Sequence, residues 1–260
     1  MTIVAAVQHD IVWEDSAATL AALATDVAAA AGAGAQLIVL TEMFATGFSM
    51  QVERTAQSED GEIVTWMRDQ AGLHDVRLVG SAAVRDDANE QPTNRLLIVG
   101  PQGVEYRYDK IHPFTYAKEH ERFAAGSQPV VAEVDGMNWA MTVCYDLRFA
   151  NLYWDLAPQV DGYLVVANWP RPRGEHWKAL LVARAIENQA WVVGVNRVGQ
   201  GGGLDYAGGS MIIDPLGQVI ASASESPAMI ATSVDQTTVT SVRERFPFLA
   251  DRRRTDWSGG

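Results

Sequence analysis

Apolar residues recur along this chain in two registers. The segments 2–8 (TIVAAVQ), 36–40 (QLIVL), 76–84 (VRLVGSAAV), 95–100 (RLLIVG), 138–144 (NWAMTVC), 162–169 (GYLVVANW) and 191–198 (WVVGVNRV) are almost continuously hydrophobic. Such runs are the pattern of strands covered on both faces. Between them, apolar residues return every three or four positions. The stretch 16–36 places Leu20, Leu23 and Val27 on one helical face, with Ser16 as an N-cap and the Gly32/Gly34 region as its end. Residues 61–75, 149–157, 174–190 and 237–246 also read as helices. Turn residues mark hairpins at Pro101–Gly103 and at Pro215–Gly217, and 228–234 (AMIATSV) reads as a last strand. The alternation of strand and helix, mixed with hairpins, predicts an α/β fold with mixed sheets, and the second half repeats the style of the first.

Composition narrows the class. The chain has 260 residues, 48% of them hydrophobic, enough for a sizeable core, and no Gly/Ser/Pro linker divides it, so residues 1–260 are expected to form a single domain. A net charge of −12 argues against binding a nucleic-acid backbone. The basic run Arg252–Arg254 is expected to be a solvated tail. Neither a secretion signal nor an apolar stretch long enough to span a bilayer is visible, so a cytoplasmic protein without a membrane partner is expected. With one cysteine, Cys144, an internal disulfide is impossible. No Cys/His spacing suggests zinc.

Three polar residues stand where predicted strands leave the core: Glu42 after QLIVLT, Lys110 after VEYRYD and Cys144 after NWAMTV. Together they supply what acyl transfer needs. A thiolate attacks, a carboxylate in a desolvated pocket takes the thiol proton, and a fixed ammonium with a backbone N–H holds the oxyanion. A helix after Cys144 would offer N-terminal amides that favour a thiolate. Five histidines are present, and His9, which follows the first strand, keeps a Cys–His dyad open as an alternative.

The segments LIVLTEMFATGF around Glu42, YRYDKIHPF around Lys110 and MTVCYDLRF around Cys144 resemble the nitrilase superfamily of carbon–nitrogen hydrolases. ARAIENQAWVVGVNRVG and GGSMIIDPLGQVIA extend the likeness to about residue 235. The resemblance implies a four-layer α-β-β-α sandwich of two mixed sheets. It implies Glu42 as general base, Lys110 as stabiliser of the tetrahedral intermediate, Cys144 as nucleophile and the Tyr145 amide as the backbone half of the oxyanion hole. A second carboxylate is implied between the Lys and Cys motifs, best matched by Glu119, with Glu121 competing. Assembly into a homodimer or larger homo-oligomer is implied as well, and no metal or organic cofactor.

The stretch VANWPRPRGEHWKALLVARAIENQ resembles the ω-amidase branch, which hydrolyses the terminal amide of α-keto acids such as α-ketoglutaramate and α-ketosuccinamate. Its substrate carries a carboxylate remote from the scissile amide, which a guanidinium can bind bidentately. Arg173 is the first candidate and Arg171 the reserve. Phe48, Tyr116 and Trp169 are candidate pocket walls, with Tyr145. Arg184 and Glu187 read as a structural pair. An aliphatic amidase or N-carbamoyl amine hydrolase with the same three residues is the alternative.

Overall fold

The computed structural model describes residues 1–86 and 90–253. In the first half lie β1 (Thr2–Gln8), α1 (Ser16–Gly32), β2 (Leu37–Val39), α2 (Val52–Thr55), β3 (Gln57–Ser58), α3 (Glu62–His74), β4 (Arg77–Arg85), β5 (Thr93–Gly100) and β6 (Gly103–Asp109). In the second lie β7 (Val131–Val134), β8 (Met137–Val143), α4 (Ala150–Leu156), β9 (Gly162–Ala167), α5 (Gly174–Asn188) and β10 (Trp191–Asn196). A hairpin of β11 (Val198–Gly201) and β12 (Leu204–Ala207) follows, then β13 (Met211–Ile213), β14 (Val219–Ser222), β15 (Ala228–Val234) and α6 (Gln236–Arg245).

Two mixed sheets carry the fold. One runs β15-β1-β2-β4-β5-β6, with β3 beside β4; the other runs β14-β13-β10-β9-β8-β7. From β15 and from β7 the pairings follow one pattern: antiparallel, twice parallel, twice antiparallel. The repeated style of the two halves is therefore a repeated topology. C-terminal β15 completes the first sheet by pairing along all of β1, from Thr2 opposite Val234 to Gln8 opposite Ala228.

Alternation along the strands explains the layers. Val4, Ala6, Val79, Leu96 and Ile98 of one sheet meet Trp139, Met141, Leu164, Val166 and Val193 of the other in a closed inter-sheet core. The intervening residues face outward: Ala5, Ile38, Leu78 and Leu97 pack on α1 and α3 through Leu23, Val27 and Met67. Ala140, Tyr163, Val165 and Val192 pack on α4 and α5 through Tyr153, Trp177 and Leu181. Every strand in the middle is covered twice, which is why its sequence is apolar without a break. The result is the α-β-β-α arrangement the resemblance implied.

Two local expectations are corrected. Asp15, not Ser16, caps α1: its carboxylate accepts from the Ala18 N–H at 3.0 Å, while Ser16 is the first helical residue and donates to Glu62 at 3.0 Å. Arg253 is exposed as expected, but Arg252 is half-buried and not free in solvent. Its guanidinium lies 3.9 Å from the Trp154 ring centroid and donates to the Trp154, Glu187 and Asn188 oxygens, because the carbonyls at the ends of α4 and α5 need donors. Arg254 lies outside the described residues.

Candidate active site

Parallel strands point their carboxyl ends the same way, so the loops after β2, β8 and β9 gather at one edge of the sandwich. Glu42 follows β2, Cys144 follows β8 and Asn168 follows β9. The corresponding ends of the two sheets are tied together: the Asn168 backbone N–H donates to Glu42 Oε2 at 2.8 Å, and the Asn168 side chain donates to the Glu42 carbonyl at 2.5 Å.

The structure brings Glu42, Lys110, Glu119 and Cys144 into one cluster. Lys110 Nζ donates to Glu42 Oε1 at 2.9 Å and to Glu119 Oε1 and Oε2 at 3.1 and 2.9 Å. Asn94 Nδ2 bridges the same two carboxylates, at 2.9 and 3.1 Å. The Phe114 N–H closes on Glu119 Oε2 at 2.5 Å. Glu42, Lys110 and Glu119 are all buried, whereas Glu121 is exposed. Burial alone would strip Lys110 of its proton, but Glu119 and Glu42 outweigh it and hold the ammonium above the usual lysine range. Burial pushes the Glu119 carboxyl up against the opposing pull of Lys110.

Cys144 sits on a sharp turn with φ of 48°, a left-handed conformation that costs energy for a residue with a Cβ. Asp146 holds that turn. Its carboxylate accepts from the Val143 N–H (2.9 Å), the Tyr108 hydroxyl (2.8 Å), and the His112 N–H (3.1 Å) and Nδ1 (2.8 Å). One buried carboxylate thus fixes the Cys144 turn to the end of β6, where Lys110 lies. The helix expected at 149–157 is α4, which starts at Ala150, but residues Cys144–Arg148 form a short 3₁₀ turn before it, so its N-terminal amides begin beyond the thiol. The expected thiolate is corrected too. Burial, then the Glu42 carboxylate, push the thiol well above the usual cysteine range, with Lys110 pulling the other way. This setting favours the protonated thiol.

His9 is not its partner. Its ring contacts the Phe44 and Val7 carbonyls at 3.0 and 3.4 Å, and burial lowers its pKa.

Above the thiol opens a cavity of about 220 Å³ whose lining includes Phe48, Tyr116, Tyr145, Trp169 and Arg173 together with Lys110 and Cys144. Phe48 lies under Lys110, with 5.1 Å from Nζ to the ring centroid. Tyr116 is 85% exposed and stands at the rim. Trp169 is buried and donates from Nε1 to the Arg173 carbonyl at 2.7 Å, fixing the loop after β9. The Arg173 guanidinium rests 5.5 Å from the Phe114 centroid. Arg171 is turned away, paired with Glu225 at 2.8 Å. Arg184 donates to Glu187 at 2.7 Å and to the Leu147 carbonyl, the structural arrangement expected.

Sequence reasoning missed Asn94, Asn168, Phe114, Tyr206 and Arg148. Tyr206 enters the wall from the β11–β12 hairpin, over Arg197 at 4.6 Å, and burial raises its phenol to about 12. A lone Asn inside TNRLLIVG carries no signal that it faces a carboxylate; Asn168 and Arg148 lie within segments quoted above but were given no role.

This fold and this site, a carboxylate, an ammonium and a thiol at one sheet edge, define a class of hydrolases acting on carbon–nitrogen bonds. The carbon-nitrogen hydrolase family profile matches residues 3–244, and the chain belongs to that family, in the ω-amidase-like branch of the nitrilase superfamily. It is 39% identical over 246 residues to the omega-amidase YafV of Escherichia coli strain K12, covering 94% of each chain. It is 35% identical over 226 residues to the 2-oxoglutaramate amidase of Bacillus subtilis strain 168, covering 85% of this chain and 86% of that one. Among solved structures, XC1258 of Xanthomonas campestris superposes with a TM-score of 0.92 at 36% identity over 98% of each chain; it is a CN-hydrolase superfamily protein with an arsenic adduct in its active site. Among the described residues, no helix is long and apolar enough to cross a membrane.

Proposed function

We propose that the protein hydrolyses the terminal amide of small ω-amido 2-oxo acids, such as α-ketoglutaramate and α-ketosuccinamate, through a Cys144 thioester. The observation that carries the chemistry is the buried cluster itself: Lys110 Nζ stands 2.9 Å from Glu42 Oε1 and 2.9 Å from Glu119 Oε2, with Lys110 and Cys144 in the wall of one cavity. As Sγ attacks the amide carbon, its proton passes to Glu42, and the carbonyl electrons become an oxyanion held by Lys110 and the Tyr145 N–H. Glu42 returns the proton to the leaving nitrogen; the C–N bond breaks, ammonia departs and a thioester remains. A water gives its proton to Glu42 and attacks the thioester carbon. The second oxyanion collapses, the C–S bond breaks, and the sulfur takes the proton back. Charge moves within the site and is not created there: with Lys110 charged and Glu119 ionised, the negative charge on Glu42 is exchanged for one on the oxyanion. Glu119 keeps Lys110 protonated and in place.

Support for the substrate comes from Arg173, a guanidinium in the cavity wall with no ion pair among the described residues, and from the activities in the relatives' names. Such a group binds a carboxylate bidentately. The test is ammonia release from α-ketoglutaramate, a simple aliphatic amide, a nitrile and an N-carbamoyl amine, with Cys144→Ala as control. Fast, Cys144-dependent turnover of α-ketoglutaramate over the rest is expected. Preference for the aliphatic amide or the carbamoyl amine would overturn the substrate and keep the three-residue chemistry. Activity retained by Cys144→Ala would overturn the chemistry.

A further inference from the structure

The cavity wall holds more positive charge than one carboxylate needs. Its lining residues include Lys110, Arg148 and Arg173, and no Asp or Glu. Lys110 is neutralised from below by Glu42 and Glu119. Arg148 and Arg173 have no ion pair among the described residues. Arg148 is nonetheless held firmly. Its guanidinium lies 4.8 Å from the Trp169 centroid, and one N–H donates to His176 Nδ1 at 3.2 Å. A guanidinium stacked on an aromatic face keeps its in-plane N–H groups for a ligand. Trp169 in turn donates to the Arg173 backbone carbonyl, and the Arg173 guanidinium rests over Phe114 in the wall of the same cavity.

We propose that Arg148 is a specificity-determining residue, which admits a 2-oxo group beside the carboxylate bound by Arg173 and rejects an α-ammonium there. The proposal rests on the ω-amide reading above. One guanidinium satisfies one carboxylate. The second then faces the neighbouring carbon of the substrate. A ketone oxygen there accepts a hydrogen bond from it. An ammonium there would add a further cation to a cavity whose lining holds no acid to pair with it. The ω-amides of 2-oxo acids are thereby separated from those of the matching amino acids, glutamine and asparagine, which share chain length, carboxylate and scissile group.

The experiment compares kcat/KM for α-ketoglutaramate, glutaramate (the same chain with no substituent at that carbon) and glutamine in the native protein, Arg148→Gln, Arg148→Lys and Arg173→Gln. In Arg148→Gln the ratio of α-ketoglutaramate to glutaramate should fall at least tenfold, mainly through KM. The ratio of glutamine to glutaramate should rise. Arg148→Lys should keep the rejection of glutamine, since it keeps the charge. Arg173→Gln should lower α-ketoglutaramate and glutaramate alike. Equal losses on all three substrates in Arg148→Gln would mean a merely structural role and would overturn the inference. Native protein that prefers a neutral aliphatic amide to α-ketoglutaramate would instead overturn the ω-amide reading on which it rests, so the two failures are told apart.

Discussion

Replacing Lys110 by Met removes one charge at nearly constant volume, which makes it a clean probe of the buried cluster. In the native protein the ammonium stands 2.9 Å from Glu42 Oε1 and 2.9 Å from Glu119 Oε2, with all three side chains buried. At ~4 Å and an effective dielectric of about 20, each attraction is worth about 4 kcal/mol before desolvation is counted. Deleting one partner of a buried ion pair costs about 3–5 kcal/mol, because the remaining charge is stranded. Here two carboxylates would be stranded, with only Asn94 Nδ2 between them. They can relax by taking up a proton, and burial already raises Glu119 with the lysine present. The sign follows. A carboxyl whose folded pKa is raised binds more protons folded than unfolded, so stability falls as pH rises through that pKa. The penalty is full above the raised folded value and vanishes below the ordinary unfolded one. Lys110→Met should therefore lose about 3–5 kcal/mol at pH near 7.5, and markedly less near pH 5, with no amide turnover at either. Urea unfolding followed by the fluorescence of the eight tryptophans measures it. A loss under ~1 kcal/mol at the higher pH, the scale of an exposed pair, or a loss that does not shrink on acidification, would refute the electrostatic account of the cluster.

Because Cys144 is the only cysteine, thiolate absorbance near 240 nm, taken as the difference from Cys144→Ser, reports its titration alone. The thiol should stay protonated well past the ordinary value of about 8.5, and Glu42→Gln, which removes the facing negative charge, should move the midpoint down while abolishing turnover. Asp146→Ala leaves the Val143 N–H and the Tyr108 hydroxyl without their acceptor; a stability loss of at least ~1–3 kcal/mol is expected in urea unfolding, with kcat falling more than KM changes. At Gly194 an added Cβ would come within 2.4 Å of Leu181 Cδ1 in the α5 layer, so Gly194→Ala should cost about 1–3 kcal/mol, read as a lower Tm with little change in kcat for the protein that remains folded.

The parts of the fold that announced themselves in the sequence are those decided by local pattern. The runs that became β1, β4, β5, β8, β9 and β10 are covered on both faces, so period and burial agree within each segment. At Pro215–Gly217 the hairpin turn closes as its residues require: Gly217 has φ of 84°, and Asp214 Oδ1 accepts from the Leu216 and Gln218 N–H groups. The short α2 and the β11–β12 hairpin went unseen, since four-residue elements carry too little periodicity to register. Face-to-face sheets were equally out of reach of patterning, because an apolar strand looks the same whichever layer covers it; only the family resemblance supplied the arrangement.

The site divides along the same line, and the division shows what a sequence motif encodes. Glu42 and Cys144 each stand one or two residues beyond an apolar run, and Lys110 follows the alternating strand β6, so strand ends marked them even before any resemblance. Glu119 could not be told from Glu121 in AKEHERF by chemistry, since both are carboxylates in one polar turn. What separates them is the Phe114 N–H and the Lys110 ammonium, contacts five and nine residues away that only the folded loop brings to one of the two. Arg148 is the harder case. It follows Cys144 by four residues, inside the motif itself, yet its environment is made by the loop after β9 and by the start of α5: the Trp169 face and His176 Nδ1. It shares a cavity wall with Arg173 because the two residues follow β8 and β9, which are parallel neighbours. The proposed chemistry of bond breaking was therefore legible along the chain, while the proposed choice of substrate depends on what two adjacent loops present together.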